Sequence, residues 1–224
     1  MTEIPLYFFC HYRTRPGDWR QTDWDTNKVV KGLKQEPFGG YIDTQSGNRY
    51  TSENIEELIK SLLPRLGRRL NGVIDKPYCL VPIPNSGMAV GASGQFRSPQ
   101  LARYVAQGCG ADVRVLEALR WNEPRQPAHE QAGRRDPDDY ESHFRLTNTP
   151  REEKVVLFDD VITSGSQLIA ACRFLNSQGI RPAGAIVVAK AVQEQRDPAV
   201  GWQREMLDYS RPFENWEWDP DIDS

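Results

Sequence analysis

Apolar and polar residues follow two rhythms along this chain, and the change falls near residue 78. Before it, Ile4–Cys10 is a short apolar run that suits a strand. Gly40–Thr51 alternates around Ser46-Gly47-Asn48, as a hairpin does. Ile55, Leu58, Ile59 and Leu62 then recur at i, i+3, i+4 and i+7, the spacing of one helix face. Thr51 or Ser52 is expected to cap this helix, Glu53, Glu56 and Glu57 to suit its positive end, and Pro64 to bend or stop it.

After residue 78, strands and helices alternate. Tyr78–Ile83 reads as a buried strand, and Val113–Leu116 as another. Between them, Ser98 and Pro99 suit the cap and first turn of a helix whose apolar stripe is Leu101, Tyr104 and Val105. Val155–Phe158 is a continuous apolar run, as expected of a parallel strand covered on both faces. Leu168, Ile169, Cys172 and Leu175 line the next helix, which Gly179 ends, and Ala185–Ala189 forms a further buried strand. Short connections in this order imply right-handed crossovers and an α/β fold with a parallel sheet flanked by helices.

Residues 121–145 break that rhythm with four arginines, two histidines and three prolines, and read as a long functional loop. From Arg204 onward, seven acids face two arginines, with Trp216 and Trp218 among them. The expected organisation is an N-terminal α+β elaboration over 1–75, the α/β part over 76–200, and an acidic tail over 201–224.

Composition narrows the function classes. In 224 residues, 28 Lys and Arg stand against 31 Asp and Glu, a net charge of −3, so no global feature points to nucleic acid. No apolar run approaches the roughly 20 residues of a membrane helix. The opening segment does not read as a signal peptide. Cys10, Cys79, Cys109 and Cys172 are scattered without zinc spacing and are expected to be reduced, buried thiols of a cytoplasmic protein.

The chemistry concentrates in VVLFDDVITSGSQ, Val155 to Gln167. A buried strand delivers Asp159 and Asp160, and a loop of Thr163, Ser164, Gly165 and Ser166 runs straight into a helix. Ligands of open α/β sheets sit beyond the carboxyl ends of strands. A hydroxyl-rich loop at a helix N-terminus cradles anions, because free N–H groups converge there. Carboxylates beside such a cradle suit a sugar phosphate, whose hydroxyls donate to them. Adjacent on a strand, the two acids serve better as hydroxyl acceptors than as an acid/base pair. The plain alternative is a strand end with two solvated acids. A Walker-type site is not expected, since no G-x-x-x-x-G-K-[ST] is present.

This segment resembles the phosphoribosyl pyrophosphate signature of type I phosphoribosyltransferases. The resemblance implies that Asp159 and Asp160 hold the ribose hydroxyls and that Thr163, Ser164, Gly165, Ser166 and Gln167 hold the 5-phosphate. Residues 78–190 are similar to the ComF-like branch, through LVPIPNSG, the helix QFRSPQLARYVAQ and the loop ending in Phe144. By that likeness Pro84, Asn85, Ser86 and Gly87 receive pyrophosphate, although Asn85-Ser86-Gly87 also suits an ordinary turn. Arg134 and Arg135 join the two aspartates as the expected catalytic set, with Arg125, Arg145, His129 and His143 as further charge for the leaving group. Among the tryptophans Trp121 is the candidate for stacking on a base, although packing is the role expected of it first.

Two departures stand out. The cysteine-rich zinc element common in that branch is missing from the N-terminal region. Thr163 also stands where 6-oxopurine enzymes carry an aspartate, so a hypoxanthine–guanine activity is not expected. The implied activity is transfer of ribose 5-phosphate from phosphoribosyl pyrophosphate, with Mg²⁺ held mainly through the substrate, to a base or amine acceptor. Oligomeric state stays open, a homodimer included. The alternative is a non-catalytic sensor using the same pocket to regulate a protein or nucleic-acid partner. A hydrolase, with water as the acceptor, is a third reading.

Overall fold

A computed structural model of the chain describes residues 2–15, 17–125, 136–151 and 153–210. Its first strand, β1 (Glu3–Arg13), leads through α1 (Gln21–Leu33) to a small hairpin of β2 (Ile42–Asp43) and β3 (Arg49–Tyr50). Then come α2 (Ile55–Leu70), β4 (Tyr78–Pro82), α3 (Arg97–Cys109), β5 (Arg114–Val115) and β6 (Leu119–Trp121). The chain continues through α4 (Pro137–His143), β7 (Phe144–Leu146), β8 (Lys154–Ile162), α5 (Ser166–Ser177), β9 (Pro182–Val192) and β10 (Val200–Asp208).

Among the described residues, six strands form the central sheet in the order β10-β1-β9-β8-β4-β5. All neighbours are parallel except β10, which runs antiparallel to β1 along one edge. This is the expected α/β architecture with a mainly parallel sheet. Side chains alternate across it: Val155, Leu157, Cys79 and Val81 join the core beneath α4, α5 and β6–β7. Val156, Phe158, Tyr78 and Leu80 join the opposite core, beneath α2 and α3.

The expected division into three segments is not a division of the sheet. β1 lies between β9 and β10, with Leu6 opposite Ala185 and Glu3 opposite Asp208. The first strand of the supposed elaboration and the first residues of the supposed tail are therefore members of one sheet. An apolar run such as Ile4–Cys10 announces a strand but carries no mark of which neighbours it will take.

Pro64 neither stops nor ends α2, which continues to Leu70. A proline inside a helix costs about 3 kcal/mol. Beyond it Leu66 and Leu70 are buried, and each contributes roughly 2 kcal/mol, enough to carry the helix through. Lys60, whose carbonyl loses its helical partner, sits on the exposed side where water can take the bond. The cap is Asn54, not Thr51 or Ser52; the Asn54 Oδ1 accepts from Thr51 N at 2.6 Å. In α3 the cap likewise shifts to Phe96, one residue before the helix opens at Arg97.

The described parts of the supposed long loop, 121–125 and 136–145, hold regular structure. β6 and β7 pair antiparallel at its two ends, and α4 lies just before β7 with Asp136 as cap, its carboxylate accepting from Asp138 N at 2.8 Å. All four cysteines are buried free thiols, as their spacing suggests. Among the described residues, no helix is long and apolar enough to cross a membrane.

Candidate active site

β8 and β4 are parallel neighbours, so their carboxyl ends open on the same edge of the sheet. β8 runs further than its apolar core, to Ile162, because Asp159, Val161 and Ile162 keep pairing with Val187, Ala189 and Lys190 of β9. Asp159 and Asp160 therefore stand on a braced strand instead of a loose loop. Both are half-buried. Asp159 accepts from Asp160 N at 2.9 Å, and Asp160 from Val161 N at 2.9 Å.

Burial, and then repulsion from Asp160, push the Asp159 carboxyl well above the ordinary range, against the pull of Lys34. Lys34 follows directly on α1. That helix is tied down by Arg97, whose guanidinium donates to Leu33 O at 2.8 Å, to Gly32 O at 3.2 Å and to Glu56 at 2.8 Å. Sequence reasoning passed over Lys34, since α1 carries no strong apolar period; only its capping acid, Asp23, hinted at a helix there.

After β8, Thr163, Ser164 and Gly165 turn into α5. Gly165 caps the helix in the left-handed region at φ +80°, a conformation that costs an L side chain about 1–2 kcal/mol. Ser164 Oγ and Ser166 Oγ lie 3.0 Å apart, and Ser166 N donates to Ser164 Oγ at 3.4 Å. Gly165 and Ser166 are buried, while Thr163, Ser164 and Gln167 are half-buried. The hydroxyl-bearing turn thus leads from the strand that carries the carboxylates to a helix N-terminus.

The Pro84–Gly87 segment begins where β4 ends. Ile83 N donates to Phe158 O at 2.8 Å, which sets the segment beside Asp159. Asn85 Oδ1 accepts from Ser98 N at 2.8 Å and so joins the start of α3. Pro84 is buried, Asn85 and Ser86 half-buried, and Gly87 exposed.

Other expected residues are placed elsewhere. Trp121 is not a free stacking surface: it is 1% exposed and its ring lies on Phe144 at 4.4 Å and 15°. Its indole N–H donates to Pro84 O at 3.1 Å and Asn85 O at 2.9 Å. Arg125 packs over the rings of Trp121 and Tyr140, pairs with Asp139, and its backbone N donates to Ser86 O at 3.0 Å. His143 turns onto α4, with Asp139 O at 2.7 Å from Nδ1, and Arg145 bonds Phe144 O at 2.8 Å. Arg134, Arg135 and His129 lie outside the described residues.

A metal held by protein alone would need several convergent ligands; among the described residues no such group of His, Cys, Asp and Glu exists. The donor set does suit an ion carried chiefly by substrate oxygens. Mg²⁺ keeps most of its waters and typically takes one or two carboxylates plus phosphates, and Asp159–Asp160 offers such a pair.

A search of curated proteins finds no match to the chain. Among solved structures, the chain is similar to orotate phosphoribosyltransferase from Aeropyrum pernix, at 16% identity over 74% of this chain and 81% of that one, with a TM-score of 0.38. It is also similar to an adenine phosphoribosyltransferase, at 16% identity over 72% and 89% of the two chains, with a TM-score of 0.39. A hypoxanthine phosphoribosyltransferase from Staphylococcus aureus follows at 12% identity, over 62% and 76%, with a TM-score of 0.37. The model of one family, described as the phosphoribosyl transferase domain, matches residues 53–224. That match takes in well over half the sequence, and the chain therefore belongs to the phosphoribosyltransferases, a family of pentosyltransferases.

Proposed function

We propose that the protein binds phosphoribosyl pyrophosphate and transfers its ribose 5-phosphate to a base or amine. The observation that carries this reading is the meeting, on one sheet edge, of a carboxylate pair, a hydroxyl-lined helix N-terminus and the Pro84–Gly87 loop. In this reading the 5-phosphate rests on Thr163–Gln167, where helix amides and hydroxyls donate to it. Asp159 and Asp160 accept from the ribose hydroxyls, and the diphosphate lies against Pro84–Gly87. Mg²⁺, when bound with the substrate, neutralises diphosphate charge and aids its departure.

The bond from the anomeric carbon to the diphosphate oxygen breaks, the bond to the acceptor nucleophile forms, and the acceptor gives up a proton. The protein's share is orientation and stabilisation of charge, not covalent chemistry. Arg134 and Arg135 are proposed to meet the departing pyrophosphate, because guanidinium groups bind phosphate oxygens bidentately and stay charged. The order of LVPIPNSG, the α3 helix and the DD-loop motif supports a place in the ComF-like branch. Four reduced thiols suit the cytoplasm.

Isothermal titration with phosphoribosyl pyrophosphate and Mg²⁺ tests the binding half. The wild type should bind, and Asp160→Asn should bind at least about tenfold more weakly, as expected when a charged hydrogen-bond acceptor is lost. No binding by the wild type would end this reading. Pyrophosphate release on incubation with pooled bases and amines tests the transfer half; binding without release from any pool would reduce the protein to a receptor.

A further inference from the structure

Resting on that reading, we infer that Trp121 is the positioning residue of the pyrophosphate loop: its indole N–H and the adjoining backbone turn three successive loop amides outward. The argument starts from peptide geometry. In a trans peptide the C=O of one residue and the N–H of the next point in opposite directions within one plane. Among the described residues, the cis bonds are Lys76-Pro77 and Asp197-Pro198, so the peptides of the loop are trans.

The loop's carbonyls are held from one side. Pro84 O and Asn85 O both accept from Trp121 Nε1, Asn85 O accepts also from Met88 N at 2.8 Å in a turn of the loop itself, and Ser86 O accepts from Arg125 N. The N–H groups of Asn85, Ser86 and Gly87 must therefore point away from Trp121 and Arg125. Three neighbouring amides aimed to one side form a nest for anionic oxygens. Gly87, which ends the nest, is exposed.

Trp121 is suited to hold this arrangement because it cannot shift. Its backbone N donates to Met88 O at 2.9 Å and its own O accepts from Val90 N at 2.8 Å, so the residue brackets the loop from both ends. Its ring is fixed by Phe144 on β7 and by Tyr140 on α4, at 5.9 Å. α4 is in turn joined to α5 by Arg173, which donates to Asp138 at 2.6 Å. The loop is thus referenced to the same helix that carries the 5-phosphate cradle.

The test separates the two halves of the site. Trp121→Phe keeps an aromatic ring against Phe144 and removes the N–H together with part of the buried ring volume. Titration of the full chain with Mg²⁺ and inorganic pyrophosphate should show about a tenfold loss of affinity in the variant, the size of one lost hydrogen bond. Titration with ribose 5-phosphate should be unchanged. Equal loss for both ligands would reduce Trp121 to a packing residue, and no loss for either would remove its role; both outcomes overturn the inference. If the wild type bound neither probe, the phosphoribosyl reading itself would fall.

A second measurement needs no variant. In the wild type, pyrophosphate should slow hydrogen exchange at the Ser86 and Gly87 amides, and ribose 5-phosphate should not. Absence of that protection when pyrophosphate is bound would also overturn the inference.

Discussion

The two carboxylates differ in what the fold does to them. Burial, and then repulsion from Asp160, raise the Asp159 carboxyl, so folding works against its charged form. Its contribution to stability is then fullest below the ordinary Asp value of about 4 and is lost as pH climbs through the raised value. Asp159→Asn, fixed in the neutral form, should melt above wild type near neutral pH, with an advantage that shrinks as the buffer is acidified, while ligand binding is lost. Thermal melts over a pH series check this; a melting temperature below wild type at neutral pH would give the acid a structural duty. Gly165 supplies a second case, since its left-handed φ penalises any side chain. Gly165→Ala should cost about 1–2 kcal/mol in urea unfolding and weaken ribose 5-phosphate binding. Both residues were legible in the sequence, because two acids and a glycine-bearing hydroxyl turn after an apolar run leave few other placements. Trp121 was not. Its packing was the first expectation and is what the structure has, but nothing in a lone tryptophan tells that its N–H will meet carbonyls at Pro84 and Asn85.

At the level of elements, the helices of the α/β part could be read because they leave a period, and the buried strands because they leave continuous apolar runs. What the pattern hid was contact between them. Gly67 and Gly108 sit where α2 crosses α3: a methyl group on Gly108 would strike the carbonyl of Pro64, and one on Gly67 the carbonyl of Val105. Gly108 lies inside α3, which runs to Cys109 and is capped by Gly110. Its lack of a side chain lets two backbones approach. Gly108→Ala should therefore destabilise by about 1–3 kcal/mol, the range for overpacking, with a lower urea midpoint at unchanged slope. A neutral effect would mean that the helices can slide apart freely. α4 escaped notice for a different reason: seven residues give too short a window for any period to stand out.

For the molecule as a whole, the decisive fact is the place of β1. The family match begins at residue 53, but β9 is flanked on one side by a strand that ends at Arg13. A chain starting at residue 53 would leave β9 and β10 without their common neighbour and uncover Ala185, Ile186 and Ala189. It should show no cooperative urea transition by circular dichroism, whereas the full chain should show one; a sharp transition in the shortened chain would refute this. The same arrangement bears on birth. A ribosome makes β1 well before its two partners, so Leu6 must wait for Ala185 before the sheet can close. An oily segment kept single through most of translation invites chaperone capture, and such distant pairing slows folding. Closure of the sheet edge that carries Asp159 and Asp160 thus depends on strands translated long after β1.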